Sequence, residues 1–505
     1  MIDHLVRVHP SSEQLPRANQ FAWALAELAA AERPVDPDAA QMVACRVVDN
    51  AAVALVSLER GPVANARDQA LCFLRPGGAT LFGLPASITV SPEWAGWANA
   101  TAVRELDFHD TFLAADYAHP GDNVPGLIAV AQHCGRGGPD LLAAILVAYE
   151  VQVSLVRAIS LHEHKKDHVA HLAPATVAAI GRLLGLPVEV IFQAINHAVH
   201  LAFSTRQSRK GEISSWKANV PGFSAKLAIE AVDRAMRGET APSPIYEGED
   251  SVIAWMLDGA ETEYRVTLPE PHEPARAILE TYTKAHSAEY QAQALIDLAI
   301  EAGGEIATDR ITEIVLRTSH HTHYVIGSGA NDPQKYDPEA SRETLDHSIP
   351  YILAVALEDR SWHHVDSYLP ERAHRSSTVE LWRKIRTVED PEWTKRYHEP
   401  DPARRAFGGT LEVRLSDGTV KIFEKDVADA HPNGAKPWTW PDYVGKFETL
   451  TGALIDGAER ERFIGLASLI GELRPDAVRT LNPALPHGRL PQTPSGRGLF
   501  DWTAR

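Results

Sequence analysis

Six titratable residues, Asp107, His109, Asp110, Asp116, His119 and Asp122, fall within sixteen positions. Carboxylates and neutral imidazoles within reach of one another can hold, accept or donate a proton near neutral pH. A second concentration follows at His162, His164, His168 and His171, interleaved with Lys165, Lys166 and Asp167. A third is cationic: Arg206, Arg209, Lys210 and Lys217 lie in a polar break between two helical patterns. Proton carriers beside a group of cations suit proton transfer on an anionic substrate. Lys217 begins a helical pattern beside Trp216, where its charge opposes the helix dipole, so a bound anion is favoured there. The Gly121–Asp122–Asn123 turn reads as the cap of the next helix, with Pro125 in its first turn, and offers an anion a helix N-terminus.

Other motifs point away from familiar chemistries. Read as a strand, adjacent His320 and His321 face opposite ways and share no metal; no H-E-x-x-H occurs, so no metal site is expected. The stretch 327–333, GSGANDP, lacks the Lys-Ser/Thr of a phosphate loop, and no G-x-S-x-G elbow appears.

Helices must position these groups. Residues 22–31, 39–55, 92–103, 124–134 and 139–156 carry apolar positions at helical spacing and are rich in alanine. Further helical patterns cover 175–184, ending at Gly185, then 187–203 and 222–236. No βαβ rhythm and no GxGxxG turn is present, which excludes a Rossmann domain. PEPHEP, starting at Pro269, is a breaker-rich boundary. Beyond it, 311–318 alternates like a strand, and 410–415 with 419–423 flanks a hairpin turn at Ser416–Asp417–Gly418. Helical pieces at 288–301, 347–357 and 378–386 make this region α+β; helical patterning returns over 440–473, and 490–505 reads as loop. The chain is therefore expected to be mainly α, with a large helical domain (1–272 and 432–505) and an inserted, smaller α+β domain (273–431).

Composition narrows the partners. With 49 Lys plus Arg against 67 Asp plus Glu, the net charge is −18, which argues against nucleic acid but not against a small anion in a cationic cleft. Three scattered cysteines, Cys45, Cys72 and Cys134, argue against a disulfide framework, an all-cysteine zinc site or an iron–sulfur cluster. No membrane span is expected, and without an apolar signal core the expected location is cytoplasmic.

Five stretches carry a resemblance: LDFHDTFLAADYAHPGDN, KKDHVAH, SSWKAN, KAHSAEYQAQALIDLA and SHHTHYVIGSGANDPQKYDPEASRETLDHSIPYILAVAL. Together they run from about residue 100 to 370, and in them the sequence resembles the MmgE/PrpD family, specifically its branch of 2-methylcitrate dehydratases. The resemblance implies a helical domain with an α+β lid, a homodimer, and activity without a cofactor. Carried over by motif, the site pattern of the related cis-aconitate decarboxylases falls on Asp107, Thr111, His119, His168 and Lys217. Their final histidine is matched by Gln293, which disfavours decarboxylation and leaves dehydration. The expected reaction is loss of water from a tricarboxylate. His168 and His119 serve as base and acid in either order, Asp107 orients one of them, and Lys217 is the fourth catalytic residue. Thr111, Arg206, Arg209, Lys210, His286 and Gln293 hold the substrate. Decarboxylation or epimerisation within the family, and non-catalytic binding on the same fold, are the rival readings.

Overall fold

The computed structural model describes residues 1–209, 213–399, 401–490 and 498–501. Lys210, one of the expected substrate cations, lies outside the described residues. The chain is mainly α-helical with small sheets.

Two long helices, Pro37–Ser57 and Gly138–Ala158, form the middle of the larger core. Asp36 caps the first by accepting from the backbone of Asp38 and Ala39, with Pro37 at its first position. By length and composition both could cross a membrane, but 78% and 83% of their most apolar windows are buried inside the protein, as in core helices, and the first carries Arg46, Asp49 and Asn50. Leu172–Leu184 packs on Gly138–Ala158 and ends at Gly185, whose φ of 68° closes the helix in the left-handed region. Pro92–Arg104 packs along Trp216–Met236. The chain's end returns to this core: Trp440–Thr451 lies on Pro37–Ser57, with Tyr443, Phe447 and Phe463 buried.

A second hydrophobic core draws on residues from Ala288 to Leu415. Its sheet has four strands in the order Val420–Lys425, Gly409–Leu415, Ile311–Thr318, Ile385–Glu389. Ile311–Thr318 runs parallel to Ile385–Glu389 and antiparallel to Gly409–Leu415. Helices Gln293–Glu305 and Ile349–Asp359 pack against one another over this sheet.

Several elements differ from the sequence pattern. The pattern at 378–386 divides into a helix, Ser376–Arg383, and the strand Ile385–Glu389. His320, His321 and His323 lie on the short helix His320–Val325, capped by Ser319, not on a strand. The pattern at 440–473 breaks into two helices, the second Gly457–Ser468. Ile2–Arg7 pairs antiparallel with Glu263–Leu268, a long-range pairing that no local pattern announces.

Candidate active site

After Pro92–Arg104 the chain turns sharply. Asp107 sits at φ 49°, a left-handed conformation that Asp tolerates better than most residues. Phe112–Leu113 then pairs with Tyr117–Ala118, and the short 3-10 helix Pro120–Asn123 runs straight into Val124–Cys134. No side chain caps this helix; Asp122, the cap expected from sequence, binds His109 Nε2 at 2.9 Å instead, and the Gly121 amide of the preceding turn donates to Asp110 Oδ1. Gly121 is required for close approach, since a Cβ there would meet Asp110 Oδ1 at 2.6 Å.

Four of the six clustered residues brace the turn. Asp110 accepts from the Gly121 amide at 2.9 Å and from the Tyr149 hydroxyl at 2.7 Å. Asp116 accepts from the amides of Tyr117, Leu161 and His162, which ties the turn to the histidine-rich loop; burial pushes its carboxyl up to about 7. His109 and Asp122 bind each other. Asp107 and His119 remain for chemistry.

Asp107 is a buried anion surrounded by cations. Arg104 lies 3.0 Å from its Oδ1, Lys284 2.7 Å from Oδ1 and 3.0 Å from its carbonyl, and Lys217 3.4 Å from Oδ2. Burial alone would raise this carboxyl, but Arg104, Lys284 and Lys217 hold it well below the usual carboxylate range. Lys217 is not a solvated helix-start lysine. It is 1% exposed, and its Nζ donates to both oxygens of Asp346 at 2.9 and 3.0 Å and lies 3.4 Å from His347 Nδ1. Asp107, Asp346 and His347 converge closely enough to hold a metal ion, and the Lys217 ammonium contacts all three. Lys217 therefore balances buried carboxylates, where the sequence suggested contact with a bound anion.

His119 donates from Nδ1 to the Asp110 carbonyl at 2.8 Å, a partner that can only accept. Its Nε2 lone pair is left facing Asp107, at 3.8 Å from Oδ1. Burial, helped by Arg104 and Lys284, lowers its pKa well below the histidine range. His168, 2% exposed, lies at the start of a 3-10 turn with its ring 5.5 Å from that of His119 and 4.7 Å from that of Tyr117. Its Nδ1 is 3.1 Å from Asp167 Oδ1, off the line of a hydrogen bond, and Nε2 has no partner among the described residues. Burial lowers its pKa to about 4 although Asp167 pulls the other way, so at neutral pH it is an uncharged base. Arg209 and Arg104 add to this lowering, but burial is the larger cause.

These residues line one small cavity with Arg104, Thr111, Arg206 and Arg209 from the helical core, and with Glu289, Gln291, His321, Val325 and His347 from the second core. It measures about 20 Å³, room for one water molecule. The Thr111 hydroxyl donates to the Ala118 carbonyl at 3.0 Å. Arg209 grips Asp167 through Nε and Nη2, while its Nη1 is buried without a partner among the described residues; Arg206 has a buried Nε likewise unpaired among them. Unpaired guanidinium donors at a cavity wall are suited to carboxylates.

Two expected substrate contacts lie elsewhere. Gln293 spends its amide on the backbone, accepting from the His286 N–H at 2.9 Å and donating to the carbonyls of His286 and Ala288. His286 turns away to Asp297 at 2.8 Å. Of the two glutamines in QAQ, it is Gln291, two positions earlier, that faces the cavity. Arg104, Lys284, Glu289, His321 and His347 were also missed. All but Arg104 lie inside the conspicuous stretches KAHSAEYQAQ, SHHTHY and TLDHS, yet only packing shows which members turn inward.

Comparison with known proteins adds a lineage to this geometry. Residues 19–265 match the MmgE/PrpD N-terminal domain, and residues 286–470 match the MmgE/PrpD C-terminal domain. The chain belongs to the MmgE/PrpD family. Similar family members include the 2-methylcitrate dehydratase of Cupriavidus necator, 28% identical over 366 residues, covering 68% of this chain and 72% of that protein. The probable 2-methylcitrate dehydratase of Saccharomyces cerevisiae is 27% identical over 366 residues, 68% of each chain. The mitochondrial 2-methylcitrate dehydratase of Yarrowia lipolytica is 27% identical over 348 residues, 66% of this chain and 64% of that one.

Proposed function

We propose that this chain is a 2-methylcitrate dehydratase, a hydro-lyase that removes water from 2-methylcitrate to give 2-methyl-cis-aconitate. The carrying observation is a small cavity lined by four histidines that burial keeps uncharged, amid an excess of buried cations. Arg104, Lys217, Lys284 and Arg342 surround Asp107 and Asp346, and Arg209 binds Asp167 with Arg206 nearby. That excess suits a trianion and the further charge that develops when a C–H beside a carboxylate loses its proton. His168, with a free Nε2, serves as the base, and the unpaired donors of Arg206 and Arg209 receive substrate carboxylates. The Asp110 carbonyl keeps His119 oriented, and Asp107 offsets its cationic neighbours.

The second core, residues 273–431, acts as a lid on the helical body of 1–272 and 432–505, because the cavity walls come from both. The expected assembly is a homodimer in the cytoplasm. The reading is tested on purified, chelator-treated protein by following alkene absorbance with 2-methylcitrate and with citrate. Water loss supports it. Carbon dioxide released from cis-aconitate would move the chain to the decarboxylase branch, and binding without turnover would make it a non-catalytic relative.

A further inference from the structure

We infer that Glu289 is the proton donor to the departing hydroxyl, a role nothing in the sequence motifs assigned to it; this rests on the dehydratase reading above. Glu289 reaches the cavity from the second core, whereas His119 and His168 reach it from the helical core. Its carboxyl is held in place: Oε2 accepts from the Gln291 amide at 2.7 Å, capping the 3-10 turn Tyr290–Ala292. Its own amide donates to the Asp346 carbonyl at 3.2 Å, and the Gln293 side chain clamps the adjoining backbone at Ala288. Oε2 is the oxygen bound to Gln291; no hydrogen bond to Oε1 is present among the described residues, which leaves it open to a ligand.

The other titratable groups of the cavity do not fit the role. His119, His168, His321 and His347 are held uncharged, and a neutral imidazole N–H is a very weak acid. Asp107, beside three cations, has no proton to give. Burial raises the Tyr117 phenol further from a useful range. Glu289 differs from Asp107 in its surroundings: burial pushes it up to about 7, with Lys284 and Lys217 pulling down and Asp107 pushing up. Lys335 and Tyr397 are the other titratable groups whose fields it shares. Two carboxyls in one cavity, driven apart by their environments, divide into an ionised partner and a proton carrier.

The step balances. His168 Nε2 takes the proton from the carbon next to the carboxylate. That C–H pair becomes the new C=C bond as the C–O bond breaks. The departing oxygen takes the Glu289 proton and leaves as water. The enzyme is left with a protonated His168 and an ionised Glu289, which reset by proton exchange with solvent. Nothing is oxidised or reduced.

The test compares wild type, Glu289→Gln and Glu289→Asp with 2-methylcitrate, following alkene absorbance across pH. Wild-type kcat should fall on the alkaline side as Glu289 ionises. A bound trianion raises that carboxyl, so the limb should sit at higher pH in kcat than in kcat/KM. Glu289→Gln keeps the shape and the bond to Gln291. Its kcat should drop about 10²–10⁴-fold with the alkaline limb gone, KM unchanged or lower, and the melting temperature kept within about 2 °C. Glu289→Asp should recover part of the rate together with the limb. A Glu289→Gln enzyme within about threefold of wild type, with its limb intact, overturns the assignment. So does a raised KM with the limb still present in the residual activity. Failure of wild type to release water sinks the dehydratase reading itself and this inference with it, a result distinct from an active wild type with an indifferent variant.

Discussion

His168 and His171 belong to one short turn, yet they do different work. His168 opens Nε2 to the cavity, whereas His171 is buried with its Nε2 donating to the Ile159 carbonyl at 3.1 Å. His168→Gln is expected to lower kcat about 10²–10⁴-fold with little change in melting temperature, the usual range for a lost general base. His171→Gln should leave kcat near wild type but cost about 1 kcal/mol in urea unfolding, by removing or bending a buried hydrogen bond. It is therefore not the neutral solvent-facing control that its place in a polar run suggests. Activity loss in the second and not the first would reverse the assignment. Lys217→Ala leaves Asp107 and Asp346 buried without their shared cation. The expected result is about 3–5 kcal/mol of lost stability in equilibrium unfolding, where a substrate contact alone would show as a raised KM in a stable protein.

Elements decide access. The cavity has room for one water, so the proposed tricarboxylate requires its walls to part, and on the lid reading proposed above it is the second core that lifts. Arg60 spans the two, binding Glu105 of the helical core at 2.8 Å and Glu343 of the second core at 2.7 Å. Arg60 is 37% exposed along its side chain, so the link is worth about 0.2–1 kcal/mol. Arg60→Ala should weaken closure and change KM by about two- to fivefold at constant melting temperature. Unaltered KM at low salt would show that closure does not use this bridge. The segments carrying His168 and Arg209 are joined as well: the Asp167 amide donates to the Ser204 carbonyl at 3.0 Å, and the Arg206 amide to the Lys165 carbonyl at 2.9 Å. Base and carboxylate-binding cations are therefore set as one piece.

At the scale of the whole molecule, buried histidines and buried carboxyls act in opposite senses in the response to acid. His168, His171, His347 and His431 are each lowered to about 4, all chiefly by burial. Unfolded, they titrate near 6.5, so between those values the unfolded chain binds more protons than the folded one. Their contribution to stability is complete above about 6.5 and is lost as pH falls toward 4. The ion-paired carboxylates Asp107, Asp167 and Asp346 lose theirs only below the ordinary carboxylate range. Asp116, Glu247 and Glu289, pushed up to about 7 by burial, act in the opposite sense over the same interval, so the histidine contribution is read as a difference: His171→Gln should lose less melting temperature than wild type between pH 6.5 and 4.5. Equal losses in the two proteins would show that His171 takes up its proton at no cost to the fold.

The sequence by itself determined many of the helices and one hairpin, and marked the stretches proposed to carry chemistry. Alanine-rich 3.6-residue periodicity, the glycine stop at Gly185 and the Ser416–Gly418 turn are local signals, and helices and the hairpin follow them. The crowding of Asp107, His119 and His168 is visible for the same reason: residue type and spacing are written along the chain. Tertiary structure decided what each member does. Asp110 and Asp116 look as reactive as Asp107, but the amides they accept from belong to turns folded against them. Lys217 looks like an anion-binding lysine until Asp346, 129 residues away, reaches its ammonium. Gln291 and Gln293 are indistinguishable in a QAQ repeat, and only the packing of Gln293 on its own backbone leaves Gln291 at the cavity. Charge balance and burial are sums over distant neighbours, so they set the proton-carrying states of this site only once the chain has folded.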